Sequence, residues 1–173
     1  MKIVVDTNIL FSFFWKNSLT KKLILNSSLE LYSPIYVIEE ILKYKSEIIK
    51  KTNIKKSMHH HDLKVVVWKG ARFLDAQSVD HILKNVVLGK HFDINNDSFD
   101  HYLNELKDSI QLIKRIDYSD FLVDAMLLSP DEKDADFFAL CLKNSCPIWS
   151  NDLTLKKQEK IKVLTTKEII LLL

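Results

Sequence analysis

Cysteine is scarce in this chain of 173 residues, and the little there is excludes two chemistries. Cys141 and Cys146 lie five positions apart around an apolar segment, a spacing that matches neither a zinc site nor a redox motif. They read as two buried thiols in a reducing compartment. Charge of one sign is lacking as well. Lys+Arg 25 against Asp+Glu 23 leaves +2, too little to identify a nucleic-acid binder, though no bar to one. Long apolar runs are missing: the C-terminal Ile169-Ile170-Leu171-Leu172-Leu173 is far too short to span a membrane. No basic leader precedes an apolar run at the N-terminus, so no signal peptide is expected. The expectation is a cytoplasmic protein without membrane contact. Glycine is as rare as cysteine, and both glycines, Gly70 and Gly89, fall in one stretch.

What is present is a 47% hydrophobic, 28% charged composition, that of a soluble globular chain. The length suits one domain, 1–173, which buries roughly 70% of its unfolded surface. The organising stretch is Lys2-Ile3-Val4-Val5-Asp6-Thr7-Asn8. Consecutive aliphatic residues with nothing polar among them read as a strand buried on both faces, as in a parallel sheet covered by helices. The run ends abruptly in a carboxylate, where open parallel sheets bind ligands. A plain capping role for Asp6 in Asp6-Thr7-Asn8 competes with a role in binding.

Strand and helix signals then alternate. Ile9 to Trp15 packs as a short helix, and Asn17-Ser18 caps the next, through Leu23, Ile24 and Leu25. Leu29-Glu30-Leu31-Tyr32 reads as a second strand. Ser33-Pro34 reads as N-cap and first helical residue of a helix carrying Val37, Ile38, Ile41, Leu42, Ile48 and Ile49. Glu39 and Glu40 border that stripe on opposite sides, and periodicity does not choose between them.

From about 58 to 97 the character changes. Here lie His59, His60, His61, His81 and His91, five of the six histidines, with a strand-like Leu63–Trp68 and a helix over Val79, Ile82, Leu83, Val86 and Val87 that stops at Gly89. The segment reads as an insertion, its apolar stripe needing a partner. Three adjacent histidines cannot all reach one ion, and no cysteine is near, so a polar loop is favoured over a metal site.

Beyond it, Phe99, Tyr102, Leu103 and Leu106 form a helical stripe, and Ile110–Ile113 a third strand. Ser119 is a cap for a helix through Leu128 that stops at Ser129-Pro130. Asp131-Glu132-Lys133-Asp134-Ala135-Asp136 opens a helix, Phe137 to Leu142, apolar nearly all round and so deeply buried. Pro147–Ser150 is a fourth strand, again ending in a carboxylate, Asp152; Ile161–Leu164 is a fifth. Thr165 to Glu168 fits a capping box. The expected fold is three-layer α/β/α around a mostly parallel five-stranded sheet.

Asp6, Glu39 or Glu40, the group Asp131, Asp134 and Asp136, and Asp152 all belong to one edge of such a sheet when crossovers are right-handed. The helix dipole accounts for an acid or two at a helix start. It does not account for Asp6 and Asp152, which end two separate strands. Two unit charges about 4 Å apart repel by roughly 4 kcal/mol at an effective dielectric of 20. Converging carboxylates therefore take up protons or hold a cation. Oxygen ligands favour Mg²⁺ or Mn²⁺, which hold phosphate oxygens and activate water. Asn8, Ser150 and Asn151 are placed to hydrogen-bond the ligands or a phosphate.

These residues resemble the PIN-domain nucleases. The resemblance lies in IVVDTNILFS (3–12), SPIYVIEEIL (33–42) and PDEKDADFFALCLKNSCPIWSNDL (130–153), the last being the most specific. It implies an acidic set of Asp6, Glu40, Asp134 and Asp152, with Asp131 and Asp136 as additional acids, and prefers Glu40 to Glu39. It implies cleavage of single-stranded RNA with Mg²⁺ or Mn²⁺. Many small members are toxins held by an antitoxin protein, and many are homodimers. The 58–97 segment and Cys141 depart from the family pattern. Two rival functions compete with cleavage. A non-catalytic PIN-like module binding RNA or protein has no need of negative charge facing a polyanion. A haloacid-dehalogenase-type phosphatase needs a second Asp where this chain has Asn8.

Overall fold

A computed structural model describes residues 1–15, 18–52 and 98–173. Five parallel strands form its sheet: β1 (Lys2–Val5), β2 (Glu30–Pro34), β3 (Gln111–Ile113), β4 (Ile148–Trp149) and β5 (Val163–Leu164), in the order β3-β2-β1-β4-β5. Ile3 pairs with Leu31, Val5 with Trp149, Ser33 with Leu112 and Ile148 with Val163. Ile3, Val4 and Val5 point alternately to opposite faces of the sheet, yet all are fully buried. Both faces are therefore covered, which gives the three-layer α/β/α fold expected of an unbroken aliphatic strand.

The helices are α1 (Thr7–Phe11), α2 (Leu19–Ile24), α3 (Val37–Lys43), α4 (Lys45–Thr52), α5 (Phe99–Ser109), α6 (Leu122–Leu128), α7 (Ala135–Asn144) and α8 (Thr166–Leu172). Helix α7 buries Phe137, Phe138, Ala139, Leu140 and Cys141 and packs on β1, β2 and β4. Phe14 stacks on Phe99 at 5.0 Å between ring centroids, tying the α1 end of the chain to α5. All four residues of the α5 stripe, Phe99, Tyr102, Leu103 and Leu106, are buried.

Several local expectations are corrected. Ser33 and Pro34 end β2 instead of starting a helix. Parallel pairing carries on to Pro34 opposite Ile113, and the ladder passes the missing N–H because Ile35 donates to the Ile113 carbonyl at 2.9 Å. The Ser33 hydroxyl donates to the Val5 carbonyl at 3.0 Å, so tertiary pairing takes the group a cap would have used. The stripe from Val37 to Ile49 is two helices, because Tyr44 leaves helical geometry (φ −95°, ψ 9°) and its ring edge packs on Phe11. Leu42 is exposed as a result. Ser119 caps nothing: a 3-10 turn over Arg115–Phe121 runs directly into α6, and the Ser119 hydroxyl donates to the Ile116 carbonyl. Cys141 is buried as expected but Cys146 is only half-buried, and both are free thiols. The expected insertion at 58–97, its histidines, its strand and helix, and Asn17 lie outside the described residues.

The order of strands creates the place for a site. From β1 the chain steps outward to β2 and β3, then returns across β1 to β4 and β5. The direction of winding reverses between β1 and β4, the place where open α/β sheets form a ligand crevice beyond the carboxyl ends of their strands.

Candidate active site

Asp6 leaves β1 at that reversal. Its amide donates to the Trp149 carbonyl at 3.1 Å, which fixes it beside the end of β4. Its carboxylate is buried and accepts the Ser150 hydroxyl at 2.7 Å and the Asn8 amide at 3.4 Å. Burial raises its pKa above the ordinary carboxylate value; the bonds from Ser150 and Asn8 pull it back, and the nearby charge of Asp152 pushes it up. Asp6 caps α1, as its place in Asp6-Thr7-Asn8 allowed, and is also a buried acid beside Asp152.

Asp152 follows β4. Ser150 links the two acids, donating to Asp6 while accepting the Asp152 amide at 3.0 Å. One Asp152 oxygen accepts the Thr154 amide at 2.8 Å, which holds this carboxyl below its usual range. Glu40 projects from α3 and accepts the hydroxyl of Thr7, the residue next to Asp6, at 2.8 Å. Glu39 is exposed. The fold therefore turns Glu40 toward the crevice, a choice helical periodicity left open.

Asp134 closes the group from the start of α7. Its pKa is pushed up to about 6, first by burial and then by the charges of Asp6, Asp131, Asp152 and Glu40. Four acids thus act on Asp134, three of them from other stretches of the sequence. Among the described residues, Asp6, Glu40, Asp134 and Asp152 make no salt bridge. Asp131 lies at the margin, exposed and accepting the Lys133 amide at 3.0 Å. Asp136 is differently engaged. One of its oxygens accepts the Tyr118 hydroxyl at 2.8 Å and meets Arg115 Nε at 3.2 Å. Asn151 accepts the Thr166 amide at 3.0 Å, so its carbonyl serves the start of α8.

The donors are hard carboxylate oxygens, the kind that fits a small hard cation; Ser150 and Asn8 offset part of the burial of Asp6, and the Thr154 amide and the charge of Lys157 favour the ionised form of Asp152. Among the described residues, no three acids stand close enough to make a ready-made cage. Sequence reasoning missed Thr7, Tyr118 and Arg115, which orient acids without being acids. Thr7 stood in plain view inside Asp6-Thr7-Asn8, whereas nothing in the sequence joins Tyr118 to Asp136.

A family model described as PIN domain matches residues 4–84 and 72–172. No curated protein matches the chain. With acids gathered at the sheet reversal, and with a match running over nearly the whole length, the chain belongs to the PIN-domain family, whose members are typically nucleases using divalent metal ions.

Proposed function

We propose that this protein is a Mg²⁺- or Mn²⁺-dependent endoribonuclease that hydrolyses phosphodiester bonds of single-stranded RNA. The observation that carries the proposal is the meeting of acids at the sheet reversal: Asp6 joined to Asp152 through Ser150, Glu40 bonded to Thr7 beside Asp6, and Asp134 within reach of their charges. A protein gains nothing in stability by collecting such charges, and a binding module for a polyanion has no use for them. They serve a reaction that needs a cation. Asp6, Glu40, Asp134 and Asp152 are the residues to hold it, and the ion supplies charge for phosphate oxygens and a bound water of lowered pKa. Ser150 fixes Asp6 and Thr7 fixes Glu40, so both carboxylates are oriented before anything binds. Asn8, exposed beside Asp6, is available to a phosphate oxygen.

The wider proposal is a cytoplasmic toxin held by a small antitoxin, acting as a homodimer. Exposed Val123, Met126 and Leu127 on α6 support a protein partner, because apolar side chains grouped on one helix are commonly covered. Purified protein should cleave single-stranded RNA with added Mn²⁺ or Mg²⁺ and lose activity in chelator. Asp6→Asn should fold normally and lose at least about a hundredfold in rate. Chelator-resistant cleavage, or wild-type cleavage by the variant, would remove the proposal. An RNA that binds but is never cut would favour the non-catalytic module.

A further inference from the structure

Asp136 is the one acid of the group that forms a salt bridge among the described residues. We propose that Arg115, held by Asp136, binds a backbone phosphate of the RNA strand other than the one that is cut. This rests on the nuclease proposal above and adds a contact outside the acidic centre. The exposures set the direction of the pair: Arg115 is 64% exposed and Asp136 15%. The carboxylate is the packed member, and it presents the guanidinium outward. The contact is through Nε, the inner nitrogen, which does not itself use the two terminal nitrogens and their four N–H groups. Tyr118, buried and donating to the same oxygen, fixes the carboxylate from beneath.

Position and residue choice support the same assignment. Tyr36 feels the charges of Asp136, Glu40 and Asp134 together, which places the pair beside the acids and not on a remote face. Arg115 follows β3, whereas Asp152 follows β4, about 14 Å away at three strand spacings of about 4.8 Å. A strand lying across the carboxyl edge of the sheet meets both. The chain relies on lysine almost throughout; Arg72 and Arg115 are its only arginines. Arginine is the residue that grips phosphate with two parallel bonds, and lysine does not replace it there. With its guanidinium largely in solvent, the pair contributes little to stability, so folding gives little reason for arginine over lysine at this position.

The test uses a fluorescein-labelled unstructured single-stranded RNA. Binding to Asp6→Asn protein, which does not cut, is measured against salt with and without Arg115→Gln. The slope of log K against log salt should fall in magnitude by about 0.7, the value for one lost phosphate contact on a single strand. In otherwise wild-type protein, Arg115→Gln should raise KM roughly tenfold, the effect of one charged hydrogen bond, with kcat little changed. Arg115→Lys should keep most of the salt slope and recover only part of the KM. Asp136→Asn should act in the same direction as Arg115→Gln, and the double variant should be no worse than Arg115→Gln alone. An unchanged salt slope in Arg115→Gln overturns the inference, whether or not the wild-type protein cuts RNA. So does a loss of kcat in Asp136→Asn as severe as in Asp6→Asn, because Asp136 would then belong to the acidic centre. If the salt slope falls but no RNA is cut with any divalent ion, the phosphate contact stands and the nuclease proposal fails.

Discussion

At Asp134, burial and like charge push the same way, and the sign of the consequence follows. Its folded pKa of about 6 lies above the ordinary 3.8, so between these values the folded protein holds a proton that the unfolded chain has released. Stability contributed by that proton is present below about pH 4 and is lost as pH rises through about 6. With divalent ions chelated, the thermal midpoint should fall across this window. Asp134→Asn should flatten the fall and melt higher than wild type at pH 7 and above. A variant that melts lower than wild type at pH 8 would show that the acid is not repelled by its neighbours. Asp6 differs, because Ser150 and Asn8 partly offset its burial. The seryl hydroxyl that joins Asp6 to Asp152 is fully buried, and its loss to Ala would leave Asp6 short of a partner.

Among the elements, the junction of α7 and β4 carries a definite strain. Ser145 has φ 50°, the left-handed conformation that usually calls for glycine. The turn is a Schellman motif: Cys146 donates to the Cys141 carbonyl at 3.2 Å and Ser145 to the Leu142 carbonyl at 3.4 Å. The two cysteines fill the positions whose side chains touch in that motif, and contact with Cys141 holds the Cys146 thiol below its ordinary value. Ser145→Gly should stabilise the protein by about 1 kcal/mol. That corresponds to a rise of about 2–4 °C in Tm. An unchanged or lower midpoint would show that the serine side chain supplies an offsetting contact. At the other end of the sheet, Thr165 and Glu168 form the reciprocal capping box read from the sequence, and Lys156 holds Glu168 down to about 2. Thr165→Ala should cost about 1 kcal/mol, read from urea unfolding.

For the whole molecule, the governing fact is the reversal of the sheet between β1 and β4, which makes one rim the meeting place of stretches far apart in sequence. A cation held at that rim, as proposed, would bind the folded state and not the dispersed acids of the unfolded chain. Millimolar Mn²⁺ or Mg²⁺ should therefore raise Tm, and the rise should vanish in Asp6→Asn. No shift at all would count against a shared site. No helix among the described residues is long and apolar enough to cross a membrane.

The order of elements and the parallel sheet were legible in the chain itself, because an aliphatic run such as Ile3-Val4-Val5 has few ways to hide both faces. So was the gathering of Asp6, Asp134 and Asp152, since strand ends and helix starts of this architecture share an edge. Tertiary structure decided what depended on a partner distant in sequence. Ser33 gave its hydroxyl to the Val5 carbonyl and so was not a cap. Glu40 faced inward because Thr7 was there to bond it, and Asp136 became a support for Arg115 because Tyr118 came from another turn. Backbone periodicity settles which face is apolar. Which polar atom meets which is settled by three-dimensional proximity, where an unpaired buried group costs more than any local preference returns.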